Sequence, residues 1–135
     1  MRTEGTFTVA QFTPTAVAPA FPVATGVPVG ISTMEKQYAG AVEGRSATMF
    51  TAAFDMRTGV GTYVAMEAFE GSLDGAAGTF AFAHSATTSG DDRTNEFFVI
   101  VPSSGTGALA GITGAGGMAI DADGTHRIWF DYQLP

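Results

Sequence analysis

Glycine interrupts this sequence eighteen times, and between the interruptions the residues alternate in character instead of recurring with a helical period. A chain divided this closely leaves no room for long helices, because each interior glycine costs about 1 kcal/mol relative to alanine. Short alternating segments bounded by turn residues describe an all-β protein. Two of the turns are explicit. Asp74-Gly75 and Asp123-Gly124 are the dipeptides of two-residue type I′ hairpins, in which both central residues need positive φ.

Eight strands are predicted from this punctuation. They run from Gly5 to Thr13, about Gly30 to Ala41, about Glu43 to Phe54, Val60 to Leu73, Ala76 to Thr87, Asn95 to Val101, Gly117 to Ala122 and Thr125 to Leu134. The stretch from Pro14 to Pro28 holds four of the six prolines. Proline cannot donate to a ladder, so this stretch is expected as a strap over the surface or an edge. The 135 residues fit one domain, residues 1–135, with a core large enough to stand without disulfides. Antiparallel strands in hairpin succession form a meander. Closing it removes both sheet edges, which favours a single eight-stranded up-and-down β-barrel; a sandwich is the alternative.

The hairpin at Asp74-Gly75 sets a register that places side chains. With Leu73 opposite Ala76, Glu67 faces Phe82 and Ala65 faces His84. Tyr63, Glu67 and Phe69 then share a face with Phe80, Phe82 and His84. If Phe54 faces Gly61, then Thr48, Phe50 and Phe54 join them. In the last strand His126, Ile128, Phe130 and Tyr132 are expected to point inward. Trp129 is expected outward with Arg127, beside Met118 and Ile120, in a patch suited to a homodimer interface.

Charge narrows the partners. The net charge is −7, and the six basic residues are scattered. No basic stripe is present to neutralise phosphates, so nucleic acid and anionic membrane surfaces are not expected partners. Cysteine is absent, which removes thiol catalysis and thiolate metal sites. His84 and His126 lack the spacing of zincin or cupin ligands. No serine stands in a nucleophile-elbow context. Gly105-Thr106-Gly107-Ala108-Leu109-Ala110 fits a loose dinucleotide-binding pattern, but the glycines that follow forbid the helix that pattern needs. No cofactor is therefore expected. The N-terminus lacks the apolar stretch of a signal peptide, and a cytoplasmic location is the expectation.

Several segments together resemble the bacterial family known as domain of unknown function 3224. The most specific is Val101-Pro102-Ser103-Ser104-Gly105-Thr106-Gly107-Ala108-Leu109-Ala110-Gly111-Ile112-Thr113-Gly114. Gly5-Thr6-Phe7, Gly40-Ala41-Val42-Glu43-Gly44, Gly71 to Phe80 leading to His84, and Asp131-Tyr132 stand in the matching order. The resemblance implies a barrel like that of allene oxide cyclase, a fold whose relatives include isomerases and cyclases.

The functional expectation is a barrel that binds a small, mostly apolar molecule in its lumen. In its catalytic form it is a cofactor-free isomerase or cyclase. A non-catalytic carrier and a packed oligomerisation module are the alternatives. Glu67 and His84 are the catalytic candidates, and Tyr63, Phe50, Phe69, Phe80, Phe82, Phe130 and Tyr132 the substrate-binding ones. A carboxylate among aromatics is expected to have a raised pKa unless a protonated His84 offsets it. Glu67→Gln is accordingly expected to leave stability unchanged or slightly higher and to cut ligand binding or turnover; a purely structural Glu67 instead implies a loss of roughly 1–3 kcal/mol with no separate functional loss.

Overall fold

The computed structural model describes residues 1–135. Eight antiparallel strands make one sheet: β1 (Arg2–Pro14), β2 (Val29–Gly40), β3 (Val42–Asp55), β4 (Val60–Leu73), β5 (Ala76–Ser89), β6 (Thr94–Ile100), β7 (Thr113–Ile120) and β8 (His126–Gln133). Their spatial order is β6-β5-β4-β3-β2-β1-β8-β7. A single 3-10 turn at Gly107–Leu109 supplies the helical geometry, and no helix is long and apolar enough to cross a membrane.

The sheet curls until its two outer strands meet, but β6 and β7 share no ladder. The barrel is nearly closed, and side chains complete the seam. Phe98 of β6 lies so close to Gly116 of β7 that a Cβ there would come within 2.8 Å of the ring. A glycine therefore seats an aromatic where backbone pairing stops.

The register expected at Asp74-Gly75 is the one observed. Leu73 pairs with Ala76, Glu67 with Phe82 and Ala65 with His84. Asp74 and Gly75 have φ of 51° and 84°, the signature of a type I′ turn. Phe54 pairs with Gly61, as the aromatic face required.

The second hairpin differs. Gly124 has φ of 89°, while Asp123 is not left-handed. Gly124 donates to Asp121 at 2.9 Å, and Asp121 donates to Thr125 at 2.8 Å. The turn takes one more residue than a type I′ dipeptide allows, in the manner of a type I turn closed by a left-handed glycine. That extra residue shifts the pairing. Met118 now faces Ile128, and Trp129 faces Gly117. Met118 turns into the core, so the outward Trp129–Met118–Ile120 patch does not form. Trp129 lies over Gly117 under the Arg2 guanidinium, which sits 5.2 Å from the indole centroid. The exposed apolar side chains of the sheet include Met49, Val64, Met66 and Phe97 instead, on the outward faces of β3, β4 and β6.

Inside, the barrel has two halves. Phe69, Phe80, Phe82 and Phe130 fill one with ring centroids 5.1–5.9 Å apart. The glycine-rich segment folds over that end, and its Leu109 and Ile112 are fully buried. Asp74 ties the same end together: Thr3 and Tyr132 donate to its carboxylate at 2.9 and 2.7 Å. The other half is an open mouth. The segment 15–28 forms no strand and is anchored where Thr15 donates to the Ile31 carbonyl.

Candidate functional site

Inward-facing residues of β2, β3, β4 and β5 converge between the two halves. Glu67 stands at their centre, fully buried. Its Oε1 accepts hydrogen bonds from Tyr38 at 2.6 Å and Ser46 at 2.7 Å. Its Oε2 accepts from Lys36 Nζ at 2.6 Å and His84 Nε2 at 2.5 Å. A buried carboxylate with this many donors is charged.

The electrostatics correct the expectation for Glu67. Burial alone would push its pKa up. The hydrogen bond from His84, the Lys36 ammonium and the remaining His84 and Lys36 contributions outweigh burial and hold it at about 2. Burial lowers the His84 pKa more than the Glu67 hydrogen bond raises it, so the imidazole is neutral at neutral pH. Tyr38 is pushed well above the ordinary tyrosine value, first by burial and then by the Glu67 charge.

These protonation states fix the direction of a hydrogen-bond chain. An ionised carboxylate only accepts, so the neutral His84 carries its proton on Nε2 and accepts at Nδ1. Tyr63 must then donate its hydroxyl to Nδ1, across 2.8 Å. The Tyr63 oxygen in turn accepts from Arg93 at 3.0 Å. The chain runs Arg93 to Tyr63 to His84 to Glu67. Aromatic packing holds both rings: Tyr63 stacks on Phe50, and His84 is stacked against Phe82 and Phe98. Burial raises the Tyr63 pKa, and the Arg93 hydrogen bond and charge oppose that rise without cancelling it.

Above this layer the mouth encloses a cavity of about 330 Å³. Phe7, Met34, Phe50, Phe54 and Met118 give it apolar walls, and the polar residues Tyr63, His84, Lys36 and Arg93 also line it. No three His, Asp or Glu side chains gather as a metal-binding group.

The structure thus divides the residues singled out in the sequence. Glu67, His84 and Tyr63 come together, and Phe50 lines the same cavity with Tyr63 and His84. Phe69, Phe80, Phe82 and Phe130 lie in the packed half. Tyr132 lies in that core too, with its hydroxyl committed to Asp74.

Sequence reasoning missed Lys36, Tyr38, Ser46 and Arg93. Ser46 was within reach, two residues before Thr48 on a face already assigned. Lys36 and Tyr38 alternate on β2, but their direction depends on the pairing of Tyr38 with Gly44, which no two-residue turn motif announces. Arg93 belongs to the polar loop before β6, where sequence gives no direction at all.

Fold and site together define a small antiparallel barrel with a charge-compensated centre beneath an apolar mouth. Residues 3–132 match the family described as "Protein of unknown function (DUF3224)". The chain belongs to that family. A crystal structure of a protein of unknown function from the DUF3224 family of Shewanella oneidensis MR-1 is similar, with TM-score 0.80 and 28% identity; the match covers 100% of this chain and 98% of that one. No curated protein matches the sequence.

Proposed function

We propose that this protein binds a small, mostly apolar molecule in its mouth cavity and moves a proton on it, as an isomerase or cyclase without a cofactor. The observation that carries this reading is the directed chain from Arg93 through Tyr63 and His84 to Glu67, with Arg93, Tyr63 and His84 lining the cavity and the carboxylate buried. Transfer of the Tyr63 proton to His84 Nδ1 leaves a phenolate beside the Arg93 guanidinium and an imidazolium beside the Glu67 carboxylate. The phenolate takes a proton from one substrate atom. The resulting Tyr63 hydroxyl returns that proton to another atom and recovers its own from His84. Glu67 takes no proton in this scheme. It fixes the His84 tautomer and stabilises the imidazolium, as the carboxylate of a catalytic triad does.

The test is deuterium uptake from D2O, followed by NMR, in a panel of apolar ketones with exchangeable α-hydrogens. Ketones that bind should exchange faster with the wild-type protein, and Tyr63→Phe should slow that exchange by about 10²-fold or more. Binding without any exchange above background would replace the enzyme by a carrier.

A further inference from the structure

Lys36 is 5% exposed, and its ammonium carries three N–H donors. It makes one hydrogen bond, to Glu67, and lies 4.9 Å from the centroid of the Phe7 ring. Buried donors normally find acceptors, so this one has donor capacity to spare where it borders the cavity. A second buried polar group of this layer also lacks a partner. Thr48 is 2% exposed and stands directly opposite Glu67 in the sheet, and its hydroxyl has no partner.

The charge of the cavity wall is one-sided. Lys36 and Arg93 border it with His84 and His126, and no Asp or Glu does, in a chain whose net charge is −7. Two carboxylates lie close by. Glu67 is behind Lys36 and fully buried. Glu96 pairs with the far edge of Arg93 at 2.7 Å and is half exposed. Neither faces the cavity. The remaining wall is apolar, from Phe7 and Met34 to Phe54 and Met118.

We propose that the molecule held here is an apolar monocarboxylate, with its carboxylate seated on Lys36 and its hydrocarbon part against the aromatic mouth. The inference rests on the cavity being a binding site, as argued above, and adds the head group. The carboxylate supplies acceptors for the unused Lys36 donors, and a cationic wall favours it over a neutral or cationic head. A charge-assisted hydrogen bond in a buried site is worth enough to separate matched ligands by about tenfold or more.

Octanoate, octan-1-ol and octylamine share one chain and differ in the head. Calorimetric titration of the wild-type protein should show octanoate binding at least about tenfold more tightly than octan-1-ol, and octylamine not at all. In Lys36→Met the advantage of octanoate over octan-1-ol should vanish while octan-1-ol still binds. If the Glu67 charge left behind prevents folding, Lys36→Met combined with Glu67→Gln is read the same way. Octan-1-ol binding as tightly as octanoate would overturn the head-group assignment and leave the cavity reading standing. An undiminished preference in a folded Lys36 variant would also overturn it. If the folded wild-type protein bound none of the three, both readings would fall.

Discussion

The two halves of the barrel are built from the same kind of residue and end in different states. In the closed half, four buried phenylalanines pack ring to ring, with centroids 5.1–5.9 Å apart. In the mouth half, Phe7, Phe50, Phe54 and Tyr63 surround a cavity instead. The loop at each end makes the difference. The glycine-rich segment brings Leu109 and Ile112 over the closed end and buries both. The proline-rich segment contributes no residue to the wall of the mouth cavity, and its Phe21 is 82% exposed. Aromatic content therefore does not decide whether a small barrel is solid or hollow. The capping segment does.

The largest effect should separate the halves directly. Phe82→Ala removes a fully buried ring from a packed core and should cost about 3–5 kcal/mol in chemical denaturation. Phe50→Ala, beside an existing cavity, should cost roughly 1–2 kcal/mol, because part of its surface already lacks a packing partner. Equal losses would mean that the mouth is packed like the closed end.

Glu67→Gln tests the layer between them. With Lys36 against the carboxylate, removing the charge leaves a buried ammonium unpaired. The expected loss is about 3 kcal/mol, at the low end for breaking a buried ion pair because the amide oxygen still accepts. Without Lys36 the sequence points to unchanged stability for a functional acid and to a loss for a structural one; the ion pair with Lys36 selects the loss. Unchanged stability would show that the ion pair contributes nothing net.

Acid should expose the same layer. Glu67 holds its proton less tightly folded than unfolded, with a pKa of about 2 against an ordinary 4.5. Its contribution is complete above the unfolded value and is lost as pH falls toward the folded one, on the order of 3 kcal/mol in all. The lowered His84 pKa works in the same direction and starts earlier, as pH drops below 6.5. Stability measured in urea should decline from about pH 6 to about pH 3, and Glu67→Gln should flatten the part below about pH 4.5. An identical slope in wild type and variant would remove Glu67 from the acid response.

The sequence exposed most of the fold and half of the site, and the boundary has a physical cause. Asp74-Gly75 states its turn geometry locally, and strict alternation carries that register across β4 and β5. Glu67 and His84 were legible for that reason. Asp123-Gly124 looks the same, yet the chain there forms a longer turn, and one added residue moved Met118 inside. Lys36, the only lysine, is indistinguishable in sequence from a solvated surface cation. Only the pairing of β2 with β3 turns it toward Glu67, and that pairing is set by contacts across the sheet.

The smallest expected effect is the most discriminating. Thr48→Val exchanges a buried, unpartnered hydroxyl for a methyl of similar size. An unsatisfied buried hydroxyl carries a desolvation cost with no return, so the ligand-free variant should be more stable by about 1 kcal/mol. The closed half offers no comparable substitution, because Thr3 and Tyr132 there both have partners. Thr3→Val should accordingly destabilise. If Thr48 serves a ligand, its loss should also weaken octanoate binding by a few-fold while leaving octan-1-ol closer to unchanged. A gain in stability with unchanged octanoate affinity would leave Thr48 outside the head-group site. A loss of stability would show that its hydroxyl is satisfied in solution, and the contrast between a committed closed end and an uncommitted polar layer would fail at that residue.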